Sequence, residues 1–257
     1  MTSPSLLRML RLQTRAEFLK LWRVPVFSFF SLVFPVMFFA LIGLGQAHEL
    51  IQPGVTFGAY FVASMGAYAV SNVMVFSFGV SVANERGMKM DLLMRATPLP
   101  PVIYLLAKVI TAFVFGILSL VVLFGFASLV GAASLDLGTW LTMTWRLGLG
   151  ALVFIAMGFA VGYLAGPNSA VVVVNFIYLP IAFASGLFFP LQLLPEFVRN
   201  ISPYLPLRYY GQLGWNAVGV KTDNSVAQCF LYLAIYGVVF FAIALWAYRQ
   251  EEARKFS

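Results

Sequence analysis

The chain has 257 residues, 61% of them hydrophobic and only 10% charged, with sixteen Lys and Arg against nine Asp and Glu. Soluble domains carry about 25% charged residues, so this composition excludes an ordinary water-soluble enzyme or carrier, whose surface would be one aggregating apolar patch. The net charge of +7 would point to nucleic acid in a soluble protein, but its distribution here points to a membrane, and no nucleic-acid partner is expected. The single cysteine, Cys229, excludes an intramolecular disulfide and a cysteine-based metal site, and reads as a small apolar core residue.

In chain order, residues 4–23 read as a helix lying on the membrane surface. Ser3 is placed as its N-cap and Pro4 at its first position. At 100° per residue Leu6, Leu7, Leu10, Phe18 and Leu21 share one face, with Arg8, Arg11 and Arg15 beside it towards anionic headgroups. Glu17 falls inside the apolar arc and breaks the pattern. The basic segment and the apolar run after it are too long for a signal peptide, so residues 26–45 are expected to be a retained first span. His48 and Glu49 follow in a solvated loop with no further metal ligand near them in sequence. Residues 57–83 form the second span, and residues 102–130 the third. Between them, residues 88–95 read as a short helix in which Asp91 and Arg95 are spaced for an i,i+4 ion pair. Thr97-Pro98 ends it, because a residue before proline disfavours the helical region. Its Met88, Leu92, Leu93 and Met94 are apolar anchors suited to a groove on a partner or to rest on the membrane headgroups.

No charged residue occurs between Arg146 and Glu196, a stretch broken only at Gly166-Pro167-Asn168. At about 1.5 Å per residue it is more than twice the thickness of a ~30 Å hydrocarbon core. It therefore crosses twice, at residues 145–165 and 170–189. Gly158, Gly162 and Gly166 lie on one face of the first of these, spaced for close helix contact within the chain or between copies. The segment 188–210 is cut by Pro190, Pro195, Pro203 and Pro206 and is too apolar for a solvated loop. It reads as half-helices entering the outer leaflet, with Tyr204, Tyr209, Tyr210 and Trp215 at interfacial depth. The run Gly214 to Lys221 places a Val between its second Gly and the Lys, so it is no phosphate cradle. Residues 227–248 form the sixth span.

With these spans, one side receives Arg8, Arg11, Arg15, Lys20, Arg23, Arg86, Lys89, Arg95, Lys108, Arg249, Arg254 and Lys255. The other receives only Arg146, Arg199, Arg208 and Lys221. That bias puts both termini and the 84–101 loop in the cytoplasm. No span is expected to hold an ionisable residue near its middle, which argues against proton- or ion-driven transport. Phe29, Phe30, Phe34, Phe38, Phe61, Phe76 and Phe78 are candidates to line an apolar path.

This arrangement resembles the ABC-2 family of exporter permeases over nearly the whole chain. The local matches are Glu85-Arg86-Gly87 with Leu92, Leu93, Thr97-Pro98-Leu99 and Lys108, then Ser185-Gly186 to Phe189-Pro190, Leu194-Pro195 and Pro206-Leu207. The resemblance implies one all-α transmembrane domain over residues 1–257. It has an interfacial helix (1–24), a cytoplasmic coupling loop (84–101), six spans, and a re-entrant external region (190–225) before the last span. It implies a plasma (inner) membrane location, and pairing with a second permease copy, as a homodimer, and with a separate cytoplasmic ATPase subunit that carries ATP and Mg. This chain itself would hold no cofactor, metal or catalytic residue. Glu85, Arg86, Asp91, Leu92, Leu93, Arg95, Thr97 and Pro98 would couple to the ATPase, Asp91-Leu92 supplying the family's central acid in its shorter form. Phe189, Pro190, Pro195, Pro203, Pro206 and Tyr209 would form the external gate. The substrate would be hydrophobic or amphipathic: a drug, a lipid or a lipid-linked glycan. The competing readings are a scaffold or regulatory subunit with a permease fold, and a membrane-embedded lipid-modifying enzyme, which one histidine serves poorly.

Overall fold

The computed structural model describes residues 5–90, 97 and 99–255. Among them helix α1, Leu6–Trp22, starts at Ser5, whose Oγ accepts from the Arg8 N–H at 3.4 Å. The cap is therefore Ser5, two residues later than the Ser3 expected. Helix α2 (residues 25–46) is not regular: wide π-helical turns at Phe29–Val33 and Phe39–Gly43 flank the α-helical turn Phe34–Phe38. Pro35 explains the first, since it has no N–H for the carbonyl four residues back and its ring would strike it. That carbonyl belongs to Ser31, and it accepts instead from the Ser119 hydroxyl at 2.8 Å. A neighbouring serine thus restores what the proline removed.

A small antiparallel hairpin, unforeseen from the sequence, follows: β1 (Leu50–Gln52) and β2 (Val55–Thr56), with Leu50 opposite Thr56. Its turn is Pro53-Gly54, with Gly54 at φ 80°, the backbone that a Pro-Gly turn requires. Thr56 then caps α3, Phe57–Gly87, accepting from the Ala59 N–H at 3.3 Å. The 31 residues of α3 outrun the expected span by four, and Lys89 at φ 52° turns the chain away after them. Helix α4 spans Pro101–Leu129, close to expectation.

Helix α5, Leu137–Leu164, begins eight residues before the expected span. The reason is Asp136, whose carboxylate accepts from the Thr139 N–H at 3.0 Å and from its hydroxyl at 2.6 Å. Arg146, taken above as an external boundary, therefore lies inside this helix. Helix α6, Ala170–Ala184, stops five residues short of the expected 189, where Gly186 at φ 86° and the Leu187 N–H bonded to the Ala182 carbonyl close its end. At ~1.5 Å per residue its 15 residues reach only about 22 Å. Short helices α7 (Glu196–Ile201) and α8 (Pro206–Ala217) lead into α9, Val226–Lys255.

Among the described residues α3, α4, α5 and α9 are long and apolar enough to cross a membrane, and the apolar helices Ser31–Gln46 and α6 are shorter. The protein is an all-α membrane protein in architecture, apart from the hairpin. Helix α3 is the axis: α5, α4, α6 and α8 pack around it, while α9 lies outside against α5 and α8, and α1 against α4. Two ends result. One gathers α1, the end of α3, the start of α4 and the end of α9, and is rich in charge. The other carries the hairpin, α7 and α8.

Candidate functional site

At the charged end four ionised side chains meet below the protein surface. Glu17 of α1, Glu85 of α3 and Lys108 of α4 are 6%, 8% and 3% exposed, and Lys20 of α1 closes the cluster from its rim. The Lys108 ammonium donates to Glu85 at 2.6 Å, to the Ser81 hydroxyl at 2.8 Å and to Glu17 at 3.1 Å. The Lys20 ammonium reaches Ser81 at 3.0 Å and Glu17 at 3.3 Å, and pairs with Glu85 as well. Tyr104 donates its hydroxyl to the second oxygen of Glu85 and lies under the Lys108 ammonium, 5.0 Å from its ring centre. Two carboxylates and two ammonium groups leave the cluster neutral, with each charge bonded to at least two partners. Buried charge persists only in that condition, since an unpaired ion here would cost several kcal/mol. At Lys20, burial favours the neutral amine, but the carboxylates of Glu85 and Glu17 outweigh it and hold the pKa above its ordinary value.

This arrangement corrects two expectations. Glu17 is no flaw in an amphipathic helix, because it is the residue by which α1 is fastened to α4. Lys108, counted above only towards the charge of the cytoplasmic side, is buried as the eighth residue of a membrane-length helix. The signal was present as an acid on the apolar face of α1 and a Lys facing it from another segment, but its partner was not legible.

The triplet after Ser81 sends each residue to a different neighbour. Glu85 turns inward to the cluster. The Arg86 guanidinium crosses to the last turn of α5, donating to the Gly162 carbonyl at 2.5 Å and the Ala165 carbonyl at 3.4 Å. It also pairs with Glu251 of α9 at 2.6 Å and lies 5.3 Å from the Tyr163 ring centre. A cation there satisfies carbonyls that a helix leaves unbonded at its C-terminus. Gly87 passes the Pro167 ring so closely that a Cβ would sit 2.5 Å from its Cγ. Of the other expected coupling residues Thr97 is exposed, while Asp91, Leu92, Leu93, Arg95 and Pro98 lie outside the described residues, as does the expected Asp91–Arg95 pair.

Gly158 and Gly162 lie against the backbone of α3. A Cβ on Gly158 would come within 3.0 Å of the Val75 carbonyl, and one on Gly162 within 2.9 Å of the Gly79 carbonyl. Gly166 faces only its own turn, with Ser169 Oγ as the atom nearest its missing Cβ.

At the hairpin end a cavity of about 380 Å³ is lined by Tyr60, Pro190, Arg208, Trp215, Lys221 and Asp223 among others. Of the expected gate residues Pro190 borders it. Phe189 stacks on Phe183, Pro195 caps α7, and the Pro203 carbonyl accepts from Tyr209 at 2.6 Å, while Pro206 opens α8. Tyr210 and Trp215, expected at interfacial depth, are buried in protein: the Tyr210 hydroxyl donates to the Leu147 carbonyl and the Trp215 indole to Ser64. Tyr204 is exposed. The Arg146 guanidinium, ten residues into α5, donates to the Asn216 side-chain oxygen at 2.9 Å, so a membrane-length helix does carry a cation away from its ends. Of the candidate path residues, Phe61, Phe76 and Phe78 are core, and Phe34 and Phe38 gather with Tyr68 and Phe188.

A family model described as ABC-2 family transporter protein matches residues 45–246, from the end of α2 deep into α9. The chain belongs to the ABC-2 family. It is also 25% identical, over 247 residues, to the Bacillus subtilis (strain 168) protein named "Putative transport permease YvfS"; the alignment covers 96% of this chain and all of that one. The buried cluster of this ABC-2 chain draws half its charges, Glu17 and Lys20, from a helix that precedes the segment the family model matches. The bonds at this end of the molecule join α1, α3, α4, α5 and α9 to one another.

Proposed function

We propose that this ABC-2 chain is the permease subunit of an ATP-driven exporter. It moves a hydrophobic or amphipathic substrate (a drug, a lipid or a lipid-linked glycan) out of the cytoplasm or inner leaflet by alternating access. The chain is one transmembrane domain in the plasma membrane, with α2, α3, α4, α5, α6 and α9 as its six spans. The charged end and both termini face the cytoplasm, and α7 and α8 re-enter from outside. Two copies pair, and each is driven by a separate cytoplasmic ATPase subunit that holds ATP and Mg.

The observation that carries this reading is the ionic cluster at the two roots of the 84–101 loop. Glu85 sits in the last turn of α3, at one root of the loop, and Lys108 in α4 just beyond the other; they are bonded to each other and to α1. A push on the loop by a partner would therefore move α1, α3 and α4 together. Arg86 extends the same attachment to α5 and α9. Such a rigid base suits a lever that trades an inward-open for an outward-open state, driven by a partner that binds the two states unequally.

The first test is to tag the chain in its host, extract it in mild detergent and identify what copurifies. An ATPase subunit in near-equal amount is expected, and recovery of the chain alone would overturn the exporter reading. Replacing Leu92 and Leu93 with Asp should abolish that association while leaving insertion intact. A cysteine at residue 90 should react only from the cytoplasm and one at residue 198 only from outside.

A further inference from the structure

The outer face of α1 forms a groove with α4 that the proposed coupling does not use. Leu10, Thr14 and Phe18 make one ridge of α1 at four-residue spacing, with Ile110 and Val114 of α4 opposite it. The volume is about 590 Å³, in the range of roughly 300–1,000 Å³ typical of small-molecule sites. Almost all of its wall is apolar. Arg11 and Arg15 stand on the adjacent ridge, exposed, and neither has an acidic partner among the described residues. The nearby carboxylate, Glu17, is already held by Lys108 and Lys20.

An open apolar groove at a membrane surface gives water few hydrogen-bond partners. A chain of methylenes fills it, and two arginines at its mouth, each a planar fork of N–H donors, favour an anionic group that accepts two hydrogen bonds at once, as a phosphate does. We propose that the groove binds one anionic phospholipid, an acyl chain lying between α1 and α4 and the phosphate on Arg11 and Arg15. The lipid then adds a second brace between α1 and α4 to that of the ionic cluster, close to where the Thr111 hydroxyl donates to the Thr14 carbonyl at 3.3 Å. The fastening of α1 depends in this way on the anionic lipid around it. The inference rests on the proposed membrane reading, with α1 on the membrane surface as its sequence is expected to place it.

The test uses the full chain in nanodiscs of phosphatidylcholine with or without phosphatidylglycerol, reading the thermal midpoint and, by native mass spectrometry, retained lipid. The unaltered protein should gain stability with phosphatidylglycerol and keep one molecule of it per chain. Arg11→Gln with Arg15→Gln should lose both effects, and so should Ile110→Trp, which fills the groove and leaves both arginines in place. Arg23→Gln, the loss of a single charge at the far end of α1, should keep both. A response that survives Ile110→Trp would mean a diffuse surface effect and overturn the site. So would no response at all, or a midpoint that rises only with protein concentration, which would assign the groove to a second copy. If Ile110→Trp does not fold, Val114→Phe serves in its place, with its midpoint in pure phosphatidylcholine as the control. A nitroxide at position 12, in a Cys229→Ser background, reports the depth of α1 separately. Shallow burial without lipid dependence sinks the groove and leaves the interfacial helix standing; a solvent-exposed nitroxide sinks the placement itself.

Discussion

Helices α3 and α9 are nearly equal in length, at 31 and 30 residues, and opposite in surroundings. In the most apolar window of α3, 94% of residues are buried inside the protein, against 17% in that of α9. Yet α3 is the less hydropathic of the two, with Gly58, Ser64, Gly66, Ser71, Ser77, Gly79 and Ser81 along it. In water the most buried helix would be the greasiest. In lipid the rule is reversed, because lipid is as apolar as leucine and gives a helix no reason to hide its apolar residues. What goes inside is what permits close approach and finds polar partners there. α9 turns Val238, Phe241 and Trp246 outward, and α3 turns small and hydroxylic residues to its neighbours.

Five experiments would break that contrast or sharpen it. The largest effect is expected from size in α3. A Cβ on Gly58 would lie 1.9 Å from the Ala132 carbonyl oxygen, so Gly58→Val should cost more than about 4 kcal/mol and abolish monodisperse protein in detergent. Val238→Leu on α9 should change the thermal midpoint little, and equal sensitivity at the two sites would refute the contrast. The next largest effect concerns charge. Lys108→Met leaves two buried carboxylates sharing one ammonium and should cost about 3–5 kcal/mol, with Glu85→Gln in the same chain recovering part of it. A double mutant no better than the sum of the single ones would deny that the cluster acts as a unit. Val238→Arg tests the lipid face of α9, where insertion should be impaired by roughly 2.5–3.5 kcal/mol in a translocation assay.

The smallest effects come from polar groups buried with α3. The Tyr178 hydroxyl shares a 2.8 Å hydrogen bond with Ser71 and donates to the Tyr68 carbonyl at 2.9 Å, so Tyr178→Phe should cost about 0.5–1.5 kcal/mol. For Lys20 the sign follows from its raised pKa. Its contribution is fully present below the ordinary value of 10.5 and is lost as pH rises through the higher folded value. A pH titration of the midpoint should therefore be flat in this respect through neutrality, with an alkaline loss that Lys20→Arg removes.

The positions of the apolar helices were largely legible, because a long uncharged run has few ways to exist outside a membrane. Its edges were not. The start of α5 turned on the Asp136 cap, and the end of α6 on Gly186. Irregularity in α2 was signalled by Pro35, but its cost is met by Ser119, on a helix some eighty residues later. The candidate site was half legible: Glu85-Arg86-Gly87 stood out as a triplet, while the three directions its side chains take depend on α4, α5 and α9 arriving around them.

The sequence by itself determined the solvent. Composition, the uncharged runs and the clustering of cations at particular turns assign this chain to a bilayer, because each reports the transfer cost of single residues. Tertiary structure alone decided which helix is the axis and which charges meet. Glu17 lies 91 residues from Lys108, and Lys20 lies 65 from Glu85. In a medium that rewards apolar surface everywhere, hydropathy cannot distinguish a lipid-facing helix from a buried one. Close packing of small residues and mutual neutralisation of ions make that distinction, and both are properties of pairs.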